Sequence, residues 1–200
     1  HNNRNNKSDS ISKLWGEKKI RDEAEKTNTL CIWCHRIETK NENIIRQKKY
    51  WEKIIRGMTY CSKSSDNVKQ CSGIICNGKY RTLDCFYERK NRKQGSYCSE
   101  CKVCSGRRLL QKRQFLQNYV NNIKKEIHTC AICDRLVNDG NTCCFDFDHI
   151  FRDQKKKTVS SLIIRHSNKE IIDEEIIKCQ LLCVFCHFDK TKEELNYQCV

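Results

Sequence analysis

The chain contains no proline, only seven glycines and no long apolar run. No segment approaches the roughly 18 consecutive apolar residues that a membrane-spanning helix needs, so the sequence predicts no transmembrane helix. Hydrophobic residues make up 38% of the 200 residues, below the roughly 45–50% of an ordinary globular domain. A single large apolar core is therefore not expected, and something else must hold the fold together.

Cysteine is the residue that can take over this role. The chain has 17 cysteines, and the spacing C-x-x-C recurs along it, as in Cys31/Cys34, Cys98/Cys101, Cys130/Cys133 and Cys183/Cys186. Repeated pairs of this kind are typical of zinc sites, whereas disulfide frameworks have scattered spacings and belong to oxidising compartments. We therefore expect two or three structural Zn²⁺ sites in a reducing compartment, the cytoplasm or the nucleus. A disulfide-rich secreted protein is the alternative.

Positive charge is in excess, with 39 Lys and Arg against 25 Asp and Glu, a formal net charge of +14. Each four-cysteine zinc site lowers the net charge by about 2, because four thiolates bind one divalent ion. The protein remains basic after this correction. A polyanionic partner is the natural expectation, although a protein with a lysine-rich surface has the same charge.

Composition and apolar spacing divide the chain into four segments and predict a small, metal-stapled α+β fold. Residues 1–58 end in an amphipathic helix over residues 41–58, where apolar side chains recur near a 3.6-residue period. Residues 59–105 are dense in cysteine and form a small zinc module. Residues 106–128 are a basic amphipathic linker helix. Residues 129–200 are the best-organised module.

The last module carries the strongest pattern. Two C-x-x-C pairs separated by 49 residues supply the four soft ligands of one tetrahedral zinc site: Cys130, Cys133, Cys183 and Cys186. The segment between them contains a strand pattern that ends in Asp148-His149, and the second pair is followed directly by His187. We therefore expect the zinc to bring these three side chains together.

Such a trio suits the cleavage of a phosphodiester bond. A neutral histidine can take a proton from water near pH 7. An aspartate and a second histidine can hold a divalent metal, which stabilises charge on the scissile phosphate. The alternative is structural, with His149 capping a strand and His187 capping a helix.

Residues 129–192 resemble the HNH endonuclease family, in its zinc-bearing ββα-metal, treble-clef-like branch. The resemblance lies in C-A-I-C, F-D-F-D-H-I and E-I-I-K-C-Q-L-L-C-V-F-C-H-F-D-K-T. It implies a DNA endonuclease or nickase in which His149 is the general base, and Asp148 and His187 hold one Mg²⁺ or Mn²⁺. The family often has asparagine nine residues before the last histidine, where this chain has Lys178.

Basic residues in a loop of this module and on the linker helix before it are the predicted contacts to DNA phosphates. They are Lys155, Lys156, Lys157, Arg107, Arg108, Lys112 and Arg113. Such contacts position the nucleic acid without reading its sequence.

An internal repeat supports a second, incomplete copy of the module. Residues 20–40 align without gaps to residues 172–192, which places Cys31 and Cys34 opposite the second C-x-x-C pair. Cys31 and Cys34 are therefore predicted metal ligands. Further upstream His1 falls opposite His149, so we expect that the first half of this copy precedes His1.

The middle segment resembles a small zinc motif found beside HNH modules. Carried over, the resemblance implies zinc bound by Cys71, Cys76, Cys98 and Cys101. Because the first pair is spaced C-x4-C, Cys61, Cys85 or Cys104 could substitute for one of them.

A second function is compatible with the same sequence. The chain could be a zinc-stabilised DNA-binding or structural protein that kept an HNH-derived fold and lost the chemistry. In that case it could be packaged in a virus particle, with other virion or phage proteins as partners. A divalent ion between Asp148 and His187 would distinguish the enzyme from this protein.

Overall fold

The computed structural model describes residues 30–89 and 95–194 as a small mixed α+β protein. The helices and strands are α1 (Ile32–Arg56), β1 (Val68–Gln70), β2 (Tyr80–Thr82), β3 (Phe86–Glu88), β4 (Tyr97–Cys101), α2 (Lys102–Ile127), β5 (Phe145–His149), α3 (Val159–Ile164), α4 (Lys169–Ile176), β6 (Cys179–Cys183) and α5 (Val184–Glu194). Within these ranges no helix combines the length and the apolar character needed to cross a membrane. His1, the predicted counterpart of His149, lies outside the described residues.

The strands form three separate two-stranded antiparallel sheets, β1–β2, β3–β4 and β5–β6. The longest pairing is β5–β6, where Phe145 lies opposite Cys183 and His149 lies opposite Cys179. Side chains alternate between the two faces of a strand, so Phe145, Phe147 and His149 share one face of β5. Asp146 and Asp148 share the other face, which decides the geometry of the candidate site.

The two long helices cover the segments predicted to be helical. The helix predicted over residues 41–58 is the second half of α1, which begins after Cys31 as its N-cap and ends at Gly57. The linker helix predicted from residue 106 begins earlier, at the end of β4, and forms α2. Neither helix contains a proline, which would remove a backbone hydrogen bond, so each continues for about seven turns.

Buried side chains in the described residues form three small clusters instead of one core. One cluster surrounds Phe145 and Leu182 and includes the cysteines Cys130 and Cys183. A second surrounds Phe86 and is otherwise made entirely of buried cysteines. The third is apolar and joins α2 to α3 and α4 through residues such as Leu116 and Ile172. Two of the three clusters are thus built around thiols, as the shortage of apolar residues predicts.

Candidate metal centres and catalytic site

A four-sulfur group lies where the turn after α2 meets the end of β6. Its members are Cys130, Cys133, Cys183 and Cys186, and their sulfur atoms all lie within 4.8 Å of one another. Cys183 ends β6 and Cys186 lies in the first turn of α5, so a strand end and a helix start supply one half of the group. Four convergent thiols at this spacing could hold one tetrahedral Zn²⁺.

Backbone N–H groups favour the ionised, metal-binding form of a thiol in this group. Burial by itself raises the pKa of the Cys130 thiol, but N–H groups of Cys183, Ile132 and Cys133 stabilise its thiolate and lower the pKa to about 6. The N–H of Cys183 lies 3.2 Å from the Cys130 sulfur. Because the thiolate is the form that binds metal, the surrounding backbone favours zinc binding.

A second four-sulfur group joins the middle segment to α2. It consists of Cys71, Cys76, Cys101 and Cys104, and all four thiols are buried. Cys98, predicted from the resemblance, is not a member, and the alternative Cys104 takes its place. Residues three apart on a strand point to opposite faces, so Cys98 and Cys101 of β4 cannot converge. Cys101 is the N-cap of α2, and the first helical turn brings Cys104 beside it.

Arg81 is a buried cation next to this second group, and no motif in the sequence predicts its role. Its side chain is 7% exposed, and Nη1 donates a hydrogen bond to the Cys101 sulfur at 3.4 Å. Burial raises the pKa of Cys101, but hydrogen bonds from the Cys104 backbone and from Arg81 outweigh it and lower the pKa to about 7. Arg81 therefore offsets part of the negative charge that four thiolates would create.

Gly73 lies against the same group, and we expect Gly73→Ala to destroy it. A Cβ atom at this position would lie 2.2 Å from Cys104 Cβ and 2.6 Å from its sulfur, so one of the two must move. The variant should bind one zinc ion fewer per chain and lose roughly 1–3 kcal/mol of stability through overpacking. Zinc content and thermal unfolding measure both effects. Gly57→Ala is the control, since its Cβ meets only backbone oxygens at 3.5 Å or more; equal zinc in both variants would contradict the prediction.

The predicted ligands Cys31 and Cys34 form an isolated pair in the described part of the chain. Both thiols are exposed, and the N–H of Cys34 donates to the Cys31 sulfur at 3.5 Å, a turn like those of the complete groups. Among residues 30–89 and 95–194, only the two four-cysteine groups bring three or more potential ligands together. The role of Cys31 and Cys34 in metal binding stays a prediction.

The three predicted catalytic residues are divided between two faces of β5. Asp148 points toward α5, where its Oδ1 lies 3.7 Å from Nε2 of His187. His149, the next residue, points to the opposite face, toward α4. The structure therefore brings Asp148 and His187 together and separates His149 from both, because neighbouring residues of a strand cannot share a face.

His187 is held by a carboxylate that the sequence analysis did not single out. Its Nδ1 donates to Asp146 at 3.1 Å, and Asp146 also accepts a hydrogen bond from Arg36 of α1 at 2.8 Å. The bond to Asp146 raises the pKa of His187. Burial opposes ionisation of Asp146, yet the bonds from His187 and Arg36 outweigh it and lower the pKa of the carboxyl. The alternation in F-D-F-D is the signal that could have placed Asp146 beside Asp148.

Asp148 forms an ion pair with a lysine of α5. Lys190, one turn after His187 on α5, donates to Asp148 Oδ2 and to the His149 carbonyl. Burial lowers the pKa of Lys190, but the bond to Asp148 outweighs this and raises it. The Oδ1 atom of Asp148, on the side of His187, is the oxygen left for another ligand.

Glu175 of α4 is the centre of a buried network on the other face. It is 3% exposed and accepts a hydrogen bond from His149 Nε2 at 2.7 Å and from Lys178 Nζ at 2.8 Å. The backbone N–H groups of Lys156 and Lys157 bind the same carboxylate at 2.9 and 3.1 Å. Although burial raises its pKa, these four donors lower the pKa of Glu175 to about 2. Lys178 thus contacts Glu175 and leaves the space between Asp148 and His187 free.

The predicted phosphate contacts lie in three environments. Lys155, Lys156 and Lys157 are exposed in the loop that Glu175 anchors. Arg107 stacks on Trp51 of α1, whereas Arg108 pairs with Glu100 at 2.8 Å. Lys112 and Arg113 are exposed on α2, which leaves their charge available to solvent or to a ligand.

Comparison of the chain with protein-family models, with curated proteins and with solved structures found no match. Functional interpretation therefore starts from the residues and the geometry described above.

Proposed function

We propose that the protein is a divalent-metal-dependent phosphodiester hydrolase of the HNH type that acts on DNA. The observation that carries the proposal is the environment of His187. Its Nδ1–H is fixed by Asp146, and its Nε2 is directed at Asp148. Histidines that ligate metals commonly donate their other ring N–H to a carboxylate, which sets the tautomer and orients the ring.

The donor set suits a small hard cation. Asp148 Oδ1 and His187 Nε2 are 3.7 Å apart, and an oxygen together with an imidazole nitrogen is compatible with Mg²⁺ or Mn²⁺. These two residues would hold the ion, leaving positions open for substrate oxygens. When bound, the ion would stabilise negative charge on the scissile phosphate and the leaving oxygen.

His149 has the hydrogen bonding expected of a general base. A carboxylate can only accept, so Nε2 carries the hydrogen that is donated to Glu175. Within the described residues Nδ1 has no hydrogen-bond partner, so its lone pair is the one that can take a proton from water. Glu175 would orient the ring and stabilise the imidazolium, as the acidic member of a catalytic triad does.

The arrangement β5–β6–α5 also supports the resemblance stated from the sequence. β5 pairs with β6 although α3 and α4 lie between them in the chain, β6 is followed directly by α5, and a four-cysteine group lies at the junction of β6 and α5. Apart from the two inserted helices, this is the order of elements expected of a ββα-metal module. Zinc at that group would hold the strand that carries Asp148 against the helix that carries His187.

A zinc-stabilised DNA-binding or structural protein without activity is the second candidate. The observation in its favour is that Lys190 and Arg36 already neutralise Asp148 and Asp146. If these cations cancel the negative charge that would attract a metal, no catalytic ion binds at Asp148 Oδ1 and His187 Nε2. The two candidates therefore differ in whether Mg²⁺ or Mn²⁺ binds between these two atoms.

Cleavage of supercoiled plasmid and of labelled oligonucleotides, with Mg²⁺ or Mn²⁺ and with EDTA, tests the proposal. We expect metal-dependent cleavage that falls by about 10²–10⁴-fold in His149→Ala and by a similar factor in His187→Ala. His35→Ala is the control, because His35 is exposed on α1 and touches neither residue. Cleavage that survives both substitutions, or that is absent from a folded, zinc-loaded protein, would favour the second candidate.

A further inference from the structure

A groove runs between α1 and α2 and ends at the proposed site. It consists of two cavities of about 640 and 370 Å³, and both are lined by Ile44 and Gln47 of α1. The larger cavity reaches Asp146 and His187, and the smaller one reaches Trp51 and Arg107. The cavities share Ile44 and Gln47, so they adjoin along α1, and the larger one reaches His187.

The groove is too narrow for a duplex. Gln114 of α2 donates an exposed side-chain hydrogen bond to Gln47 of α1 across the groove at 3.1 Å, so the two helices are within reach of two amide side chains and this bond must open to admit a strand. A single strand is the form of nucleic acid that can enter such a space. Residues 40 to 51, which line its length, extend about 16 Å along the helix axis.

The lining combines the two features that bind single strands without sequence preference. Lys40, Lys48 and Arg107 supply positive charge along the path, against Glu52 and Asp146. At the outer end the Arg107 guanidinium lies 5.5 Å from the Trp51 ring centroid, and the Tyr50 ring meets Trp51 edge-on at 5.6 Å. Basic grooves with aromatic platforms bind the backbone by charge and the bases by stacking.

We propose that this groove binds a single-stranded segment of nucleic acid and leads it to His187. The inference rests on the proposed function for its direction, since only a nuclease needs the strand delivered to Asp148 and His187. Bases would stack at Trp51 and Arg107, and phosphates would follow Lys48 and Lys40 toward the site. The substrate would then be unpaired DNA, or duplex DNA whose strands have separated locally.

Basic residues outside the groove provide matched controls for the test. Arg107 and Lys48 line the groove, whereas Arg46 and Lys49 line a separate depression with Glu42. Arg107→Ala is paired with Arg46→Ala, and Lys48→Ala with Lys49→Ala, so each replacement removes one positive charge. A difference within a pair therefore reports the groove and not the net charge of the protein.

Fluorescence anisotropy of the zinc-loaded protein without added Mg²⁺ or Mn²⁺, with a labelled single-stranded 12-mer and its duplex, measures binding without cleavage. We expect tighter binding of the single strand, and a loss of about fivefold or more in Arg107→Ala and Lys48→Ala with a salt slope smaller by about 0.7. Arg46→Ala and Lys49→Ala should change affinity less than twofold. Quenching of tryptophan fluorescence by the strand should largely disappear in Trp51→Phe.

The outcomes separate this inference from the proposed function. Equal losses within each pair, or duplex binding as tight as single-strand binding, would overturn the groove assignment even if cleavage is observed. Single-strand binding with the expected pattern, but without metal-dependent cleavage, would refute the nuclease and leave the groove intact. Circular dichroism of each variant verifies that lost binding does not come from lost folding.

Discussion

Cys183→Ser should bind one zinc ion fewer per chain than the parent protein and should unfold the segment around β5 and β6. Cys183 is fully buried, ends β6 and belongs to the four-sulfur group with Cys130. A structural zinc site contributes about 10–16 kcal/mol of apparent binding free energy, which is as large as the whole stability of an ordinary small domain. The apolar cluster around Phe145 and Leu182 includes two of the zinc-binding thiols, so loss of the metal also disrupts the packing that holds the strands.

The first effect of Cys183→Ser is measured by quantifying the zinc that is released when the cysteine thiols are modified. The second is measured by far-ultraviolet circular dichroism. The matched control is Cys179→Ser, because Cys179 is on the same strand and outside the four-sulfur group. That variant should keep the parent's zinc content and most of its thermal stability. Equal zinc content in Cys183→Ser and Cys179→Ser would mean that the group does not bind the metal.

Glu175→Gln should cost about 3 kcal/mol of stability at pH 7, and the cost should vanish as the pH falls toward 2. The folded state lowers the pKa of this buried carboxyl from 4.5 to about 2, a difference worth about 1.4 kcal/mol per pKa unit. A carboxyl whose folded pKa is lowered stabilises the protein fully above its unfolded pKa and loses that contribution as the pH falls through the folded value. The window is therefore between about pH 5 and pH 2.

Denaturant unfolding of the parent and of Glu175→Gln, from pH 7 down to the lowest pH at which both proteins keep their zinc, tests the prediction. Only the difference between the two proteins is informative, since other carboxyls and the zinc-binding thiolates also take up protons as the pH falls. Glu174→Gln, an exposed neighbour on α4, should change stability by less than about 0.5 kcal/mol at every pH. A cost for Glu175→Gln that does not fall over this range would show that the charge of Glu175 does not stabilise the network.

Glu175→Gln would also show whether Glu175 sets the tautomer of the His149 ring, independently of any effect on cleavage. A glutamine amide can present its N–H₂ to Nε2 and so favour the tautomer in which Nδ1 carries the proton. Nitrogen NMR of the His149 ring should then report a change of tautomer in Glu175→Gln and none in Glu174→Gln. Such a change would support the assignment of Nδ1 as the proton acceptor, whatever the activity.

Sequence spacing by itself determined the features that depend on local geometry. The low apolar content and the C-x-x-C pairs predicted thiol-built clusters in place of one core, and the structure has them. The 3.6-residue period predicted both long helices, since neither needs a distant partner to form its backbone hydrogen bonds. The first four-sulfur group was predicted from two C-x-x-C pairs, because each pair places two thiols in one turn and two such turns supply the four ligands of one zinc site.

Only the tertiary structure decided which side chains converge across distant segments. Cys104 replaces Cys98 because β4 ends and α2 begins at Cys101, and Asp146 gains Arg36 from a helix 110 residues earlier. Glu175 binds His149 because α4 packs beneath β5, while the alternation of β5 turns Asp148 the other way. Spacing constrains residues a few positions apart, whereas the face of a strand and the partner across it depend on how whole elements pack.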